Sequence, residues 1–370
     1  MTAMHDTPEA TPASTSQDSA GEAGLGRVVI GGSSGFIGRH LVAKYRAEGR
    51  EVVTISRSNA DLTWDDEDGI AAAVDGAALV IGLAGKSVGC RYTAKNREEI
   101  FTSRLSTTTA LSDAIAAADN PPPLWINAST ATIYRHADDR PMTESGGEIG
   151  EGFSVDVARA WERALFATDL PATRRVALRT AIVLGHDTSE TADSFGAADS
   201  SRAGSSGARS LGAGSRSGAL GPLINLARIG LGGAQYDGRW PATPGRKRAG
   251  TAHAYGTRGA KQRFSWIHLD DVAGIIDFLE AHPELDGPIN AAAPNPSDNR
   301  GFMAAIRSAT GMPVGLPVAR WMLEIGAIAI GTETELVLKS RWVLPERLQA
   351  AGYEFAYPEL EPAVDDAVNG

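Results

Sequence analysis

The sequence holds a single cysteine, Cys90, among 370 residues. No intrachain disulfide can form, and a thiolate metal cluster is excluded with it. Lysine is scarce: Lys44, Lys86, Lys95, Lys247, Lys261 and Lys339 complete the set, and none stands four residues after a tyrosine. No apolar run approaches the roughly 20 residues that a bilayer-crossing helix needs. Basic residues number 35 against 45 acidic ones, and the net charge of −10 argues against nucleic acid as the main partner. There is no HExxH and no acidic cage, so no metal site is expected. Residues 1–25 lack arginine and lack a basic segment leading into an apolar one. They read as a disordered tail rather than a targeting signal, and the protein as cytoplasmic.

Hydrophobic content of 42% and charged content of 22% describe an ordinary soluble chain with enough material for a large core. Its organising stretch runs from Arg27 to Ser58. Val28, Val29 and Ile30 are a β-branched run, and Gly32, Gly35 and Gly38 follow at three-residue spacing. Ile37, Leu41, Val42 and Tyr45 then recur at helical spacing, Gly49 stands at a C-cap, and Val52 to Ile55 form a second apolar run. Strand, glycine turn, helix and strand make the first βαβ unit of a dinucleotide fold. Gly32 suits the tight turn, Gly35 a close approach to a pyrophosphate, and Gly38 packing of the helix on the sheet. Ser34, Phe36 and Ile37 complete the turn, and the helix N-terminus offers N–H groups to the phosphates. The ribose should meet the end of the second strand, which reads Ser56-Arg57-Ser58 without an acid. Arg57 suits a 2′-phosphate, with Ser58 beside it, so NADP(H) is expected over NAD(H). An exposed strand-end arginine is the other reading of Arg57.

The rest of the chain fits an α/β architecture, a Rossmann-type doubly wound parallel sheet with a smaller, mostly helical C-terminal substrate lobe. The expected divisions are a dinucleotide domain at 26–185, a low-complexity insertion at 186–219, completion of the core and substrate lobe at 220–299, and a C-terminal domain at 300–370. Within the third, residues 240–262 read as a flexible basic insertion, a solvated loop or a site for an anionic partner. Ala78 to Gly85 is a buried strand whose end, Leu83-Ala84-Gly85, should lie beside the cofactor. A helix from Thr93 to about Ala118 precedes a strand at Leu124–Ser129. Helices are expected over Phe153–Leu170 and Leu220–Ile229, and strands over Val176–Gly185, Phe264–His268 and Pro288–Ala293. Asp270 or Asp271 reads as a helix N-cap or an acid/base pair. His268 reads as a core histidine, and Thr332 with Glu335 as a capping box.

The pieces GGSSGFIGRHLV, IGLAGKSV, RYTAKNREEIFTSRLSTTTAL, WINASTATIY, SWIHLDDV and VLPERLQAAGYEFAYP together resemble one branch of the extended short-chain dehydrogenase/reductase superfamily. This is the epimerase/dehydratase-like branch, nucleoside-diphosphate-sugar epimerase-like proteins with their own C-terminal domain. The resemblance implies hydride transfer on a small-molecule substrate, with a hydroxyl at Ser129 or Thr130. The superfamily typically uses a Tyr-x-x-x-Lys pair as well; it is missing here, as the resemblance to this branch implies, with Ser154 in the tyrosine place and Ala158 in the lysine place. Tyr134 is then a candidate proton donor, or a packed aromatic under the loop. Cys90 is read as incidental, and Lys86 lies nearest the cofactor rim. By analogy two copies would pair through the helix after Thr93. A non-catalytic NADP(H)-binding regulatory protein is the alternative function.

Overall fold

The computed structural model describes residues 26–186, 220–248 and 252–370. The tail at 1–25 and most of the first insertion, 187–219, lie outside the described residues.

The chain alternates as expected through its first half: β1 (Val28–Gly31), α1 (Phe36–Ala47), β2 (Val52–Ser56), β3 (Leu62–Thr63), α2 (Glu67–Val74), β4 (Leu79–Gly82), α3 (Ala94–Ala117), β5 (Leu124–Thr130), α4 (Phe153–Leu165) and β6 (Arg174–Thr180). β7 (Ile182–Leu184), α5 (Gly221–Leu226), α6 (Pro244–Arg248), β8 (Arg263–Phe264), β9 (Trp266–His268), α7 (Leu269–Ala281) and β10 (Gly287–Ala291) follow. The C-terminal part holds β11 (Ser297–Asp298), α8 (Asn299–Ala309), α9 (Arg320–Ile330), α10 (Glu335–Leu338), α11 (Glu346–Ala350) and α12 (Leu360–Asn369).

Seven strands form one sheet in the order β10-β6-β5-β4-β1-β2-β3, all of whose pairings are parallel. Both faces are covered, so the strands read as continuous apolar runs. The pleat still sorts alternate side chains. Val28, Ile30, Leu79, Ile81, Leu124 and Ile126 pack with Leu41 and Tyr45 of α1 and with α7. Val29, Val80 and Trp125 point the other way, onto α2, α3 and Leu165 of α4. The winding reverses between β1 and β4, which opens the ligand crevice at their carboxyl ends.

Several local expectations are corrected. α4 stops at Leu165 rather than Leu170, and the run expected at 176–185 divides between β6 in the large sheet and β7, which pairs with β9. Ser265 splits the 264–268 run in the same way. Its N–H donates to the Arg341 carbonyl at 3.0 Å, and its hydroxyl accepts from the Val343 N–H at 2.8 Å. The 220–229 helix passes after Leu226 into a wider turn at Ala227–Leu231, with Gly230 at φ +82°. The N-cap of α7 is His268, whose Nδ1 accepts from the Asp270 N–H; neither Asp270 nor Asp271 caps it. Thr332 and Glu335 form no capping box, since the N-cap of α10 is Thr334.

The described part of 240–262 is anchored rather than wholly solvated. Thr257 donates to Asp138 at 2.6 Å, and Tyr255 stacks between His136 and His253 at 4.7 and 4.9 Å. Arg320 of α9 fastens this region through Asp237 (2.6 Å) and the His253 ring (3.2 Å). Its basic side chains include Arg246, which pairs with Glu324 at 3.2 Å. No helix of the described residues is long and apolar enough to cross a membrane.

Candidate active site

The glycine turn at the end of β1 has the geometry its spacing predicts. Gly32 sits at φ +85°, and a Cβ there would stand 2.7 Å from the Ala84 nitrogen and 2.8 Å from the Leu83 carbonyl carbon. Only glycine lets the turn lie this close to the end of β4. The turn closes with the Gly35 N–H donating to the Gly32 carbonyl at 3.1 Å. Gly38 packs against the turn itself rather than the sheet, since a Cβ would reach 2.8 Å from Ser33 Cα. Gly35 is the N-cap of α1 and brings no side chain to it, so the first-turn N–H groups face the crevice without a cap. Ser34 and Gly35 are exposed, while Phe36 and Ile37 are half-buried at the start of the helix. Arg39 folds back to donate to the Ser34 carbonyl at 2.7 Å.

Arg57 and Ser58 are exposed just past β2. The nearest acid beyond them, Asp61, is turned back onto the strand. Its Oδ2 accepts from the Thr54 hydroxyl at 2.7 Å and from the Thr54 N–H at 2.9 Å, and the hydroxyl bond holds its carboxyl below the usual range. Leu83 and Ala84 are half-buried and Gly85 is exposed, next to Arg104. Lys86 is engaged with Glu99, and the half-buried Cys90 thiol donates weakly to the Ser87 carbonyl.

The hydroxyl candidates separate. Thr130 ends β5 and caps the short turn Ala131–Ile133, accepting from the Thr132 N–H at 3.2 Å. Ser129 instead points into a buried chain of polar groups. Its hydroxyl donates to Glu162 at 2.6 Å, and Glu162 is gripped by the Arg179 Nε and Nη2, both at 2.8 Å. Arg179 Nη1 donates to the Tyr134 hydroxyl, which donates to Asn290 Oδ1, each at 2.9 Å. Tyr134 is 2% exposed, and both bonds of its hydroxyl run to groups inside the protein. Ser129 and Tyr134 thus belong to one network, and Thr130 stands apart from it.

Ser154 lies in the first turn of α4, and Ala158 is fully buried in a cluster with Ala131, Ile133 and Val343. Charged groups from the C-terminal part of the chain reach this region. Residues 340–344 are laid between two segments: Met142 donates to Trp342, Leu344 to Met142, and Arg341 to Arg263. This path delivers Lys339, whose Nζ donates to the Thr132 carbonyl at 2.8 Å, and Arg341, whose Nε donates to the Thr132 hydroxyl at 3.2 Å. Glu335 accepts from Ser154 at 3.3 Å. Burial, reinforced by Arg341, pushes the Lys339 ammonium down to about 8. Tyr92 closes the group. It is 4% exposed, its hydroxyl lies beside Ser154 without a well-formed hydrogen bond, and burial pushes its pKa up to about 12. Sequence reasoning missed Tyr92, Glu335, Lys339 and Arg341, because they meet only across more than 240 residues of chain.

His268 is a structural residue, as expected: it is buried, bonded to Asp366 at 3.0 Å and stacked on Tyr357 at 3.7 Å. Asp271 ties the C-terminal segment down, accepting from the N–H groups of Ala356 (2.7 Å) and Tyr357 (3.0 Å).

The fold is the one seen in NAD(P)-dependent epimerase-type structures, and the comparison with known proteins shows the same likeness. Residues 28–149 match the NAD dependent epimerase/dehydratase family, and residues 318–367 match a domain of unknown function, DUF1731. The chain therefore carries an epimerase/dehydratase family domain with an extra C-terminal domain. It is similar to the Epimerase family protein SDR39U1 of Mus musculus, 28% identical over 92% of this chain and 99% of the relative. It is 26% identical to the Epimerase family protein YfhF of Bacillus subtilis over 92% of this chain and 97% of that one. The crystal structure of human epimerase family protein SDR39U1 (isoform 2) with NADPH superposes at a TM-score of 0.70 and 27% identity, covering 93% of this chain and 99% of that one.

Proposed function

We propose that the protein is an NADP(H)-binding oxidoreductase or epimerase, passing hydride between nicotinamide and a carbon of a small or nucleotide-linked substrate. The observation that carries this is the turn of Gly32 against Leu83 and Ala84, leading into a helix whose first turn has no side-chain cap. A pyrophosphate fits there, because a helix N-terminus supplies both hydrogen-bond donors and a partial positive charge. Gly35 leaves the approach open: a Cβ there would have only the Gly32 carbonyl within 4 Å. The relative in the human crystal structure carries NADPH. Arg57 and Ser58 are exposed at the ribose end, and the one nearby acid, Asp61, is occupied by Thr54. Both features favour a 2′-phosphate over a free 2′-hydroxyl.

Bound at this rim, the cofactor supplies or accepts hydride. The protein's own groups do the rest. Thr130, at the end of β5, is placed to hydrogen-bond the substrate oxygen. Ser129 and Tyr134 are positioning residues that hold this strand end through Glu162 and Arg179. A small-molecule substrate, a cytoplasmic location and pairing of two copies through α3 go with this reading.

Titration with NADPH and NADH, followed by nicotinamide fluorescence, is the test. Selective NADPH binding is expected, and Gly35→Asp should abolish it by placing a carboxylate against the pyrophosphate. Failure of the wild-type protein to bind either nucleotide overturns the reading. A non-catalytic NADP(H)-dependent regulatory role is the second reading, favoured by Ala158 and by the sealed Tyr134 hydroxyl. Tight NADPH binding without turnover of any carbonyl or sugar nucleotide in a screen would select it.

A further inference from the structure

Buried arginines in this protein are matched with carboxylates almost throughout. Arg50 pairs with Glu280 at 2.7 Å, Arg179 with Glu162 at 2.8 Å, and Arg320 with Asp237 at 2.6 Å. That is the expected arrangement, since an unpaired buried charge is strongly destabilising. Two cations at the β5 rim break the pattern. Lys339 is 3% exposed and Arg341 7% exposed, and among the described residues their hydrogen bonds go only to the Thr132 carbonyl, the Thr132 hydroxyl and the Leu336 carbonyl. The one carboxylate that acts on both is Glu335, which is also bonded to Ser154. Two buried positive charges thus share one negative charge.

A second, independent observation lies beside them. The buried Tyr92 hydroxyl makes no well-formed hydrogen bond; the Ser154 hydroxyl lies beside it, and Glu335 and Arg341 act on it as well. A buried hydroxyl held this poorly is costly. An excess positive charge and a poorly satisfied donor next to it are both satisfied by an anionic oxygen group.

We infer that this rim holds a carboxylate or phosphate group of the substrate, through Lys339, Arg341 and the Tyr92 hydroxyl. The inference deepens the proposed function and rests on it for the word substrate; the anion site itself does not depend on nucleotide binding. The anion is additional to the cofactor's pyrophosphate, which belongs at the Gly32–Gly38 turn at the end of β1. The substrate class is then a small carbonyl or hydroxyl compound that also carries a carboxylate or phosphate, with the anionic end under Lys339 and Arg341 and the reacting oxygen toward Thr130.

The test is titration of the full-length protein with malonate and, separately, with inorganic phosphate, with and without saturating NADPH, read by calorimetry and melting temperature. Saturable binding of at least one anion is expected, and it identifies the carboxylate or phosphate class. It should weaken at least tenfold in Lys339→Met and Arg341→Gln. If those two variants do not fold, Tyr92→Phe decides. It removes only a poorly satisfied hydroxyl and keeps the ring, so it should fold as well as the wild type and bind the anion several-fold more weakly. No saturable anion binding, or equal affinity in the folded variants, overturns the proposal. Loss of NADPH binding with anion binding intact would overturn the cofactor reading and leave the anion site standing.

Discussion

Lys339 Nζ donates a 2.8 Å hydrogen bond to the carbonyl of Thr132, 207 residues earlier in the chain. The bond brings the C-terminal domain to the end of β5 and puts a buried cation beside it.

That cation should make stability depend on alkaline pH. Lys339 falls from 10.5 to about 8 on folding, chiefly through burial. The unfolded chain then holds more protons between these two values, so stability rises as pH climbs from about 8 to 10.5. Below pH 8 the penalty is fully present, on the order of 3 kcal/mol for this group. Lys339→Met should therefore unfold at higher urea than the wild type at pH 7, by about 1–3 kcal/mol after loss of the Thr132 bond. The advantage should be gone by pH 10.5. A variant less stable than the wild type at pH 7 would contradict this.

At Gly32 the prediction is steric. Its φ of +85° and the 2.7 Å approach of a Cβ to Ala84 leave no room for a side chain. Gly32→Ala should lower stability by about 1–3 kcal/mol from backbone strain alone and loosen nucleotide binding with it. Thermal melting and NADPH titration measure the two effects; an unperturbed variant would mean that the turn and β4 can move apart freely.

Arg57→Asp should invert the nucleotide preference. A carboxylate at the end of β2 accepts from a 2′-hydroxyl and repels a 2′-phosphate. The ratio of NADPH to NADH dissociation constants is the measurement. An unmoved ratio would remove Arg57 from the phosphate site.

Tyr134→Phe tests whether that hydroxyl is a proton donor or a brace. It joins Arg179 to Asn290 in a buried chain, so its removal leaves polar groups unpaired at a cost of about 1–3 kcal/mol. Stability should fall by that amount. Once a substrate is in hand, turnover of the folded variant should drop less than tenfold. A loss of a thousandfold with unchanged melting temperature would return Tyr134 to the chemistry.

Asp271→Ala should detach the C-terminal segment. The buried carboxylate accepts two backbone N–H groups from Ala356 and Tyr357, and the change strands both donors. A loss of about 2–5 kcal/mol is expected from denaturant unfolding, since hydrogen bonds to charged groups contribute about 1.5–3 kcal/mol each. A loss below 1 kcal/mol would mean that packing alone holds this segment.

Local chemistry carried most of the fold and the cofactor turn into the primary structure. A glycine needed at positive φ, a β-branched run before it and a helical period after it are properties of adjacent residues. The positive-φ turn at Gly32 and its place between β1 and α1 could therefore be read without coordinates, and so could the burial of the parallel strands. Local rules also misled where tertiary partners outbid them. Glu335 reads as half of a capping box, yet its carboxylate serves Ser154; Asp271 reads as a cap, yet it holds Ala356 and Tyr357. Ser265 sits inside an apolar run, yet it breaks the strand by bonding to Arg341 and Val343. The chemical end of the site was settled only by packing. Tyr92, Ser154, Lys339 and Arg341 have no shared period or motif, because they come from separate segments whose meeting depends on how the 340–344 segment lies across the sheet. Spacing reports neighbours along a helix or strand; charge balance at a buried rim depends on distances through space, which spacing along the chain does not encode.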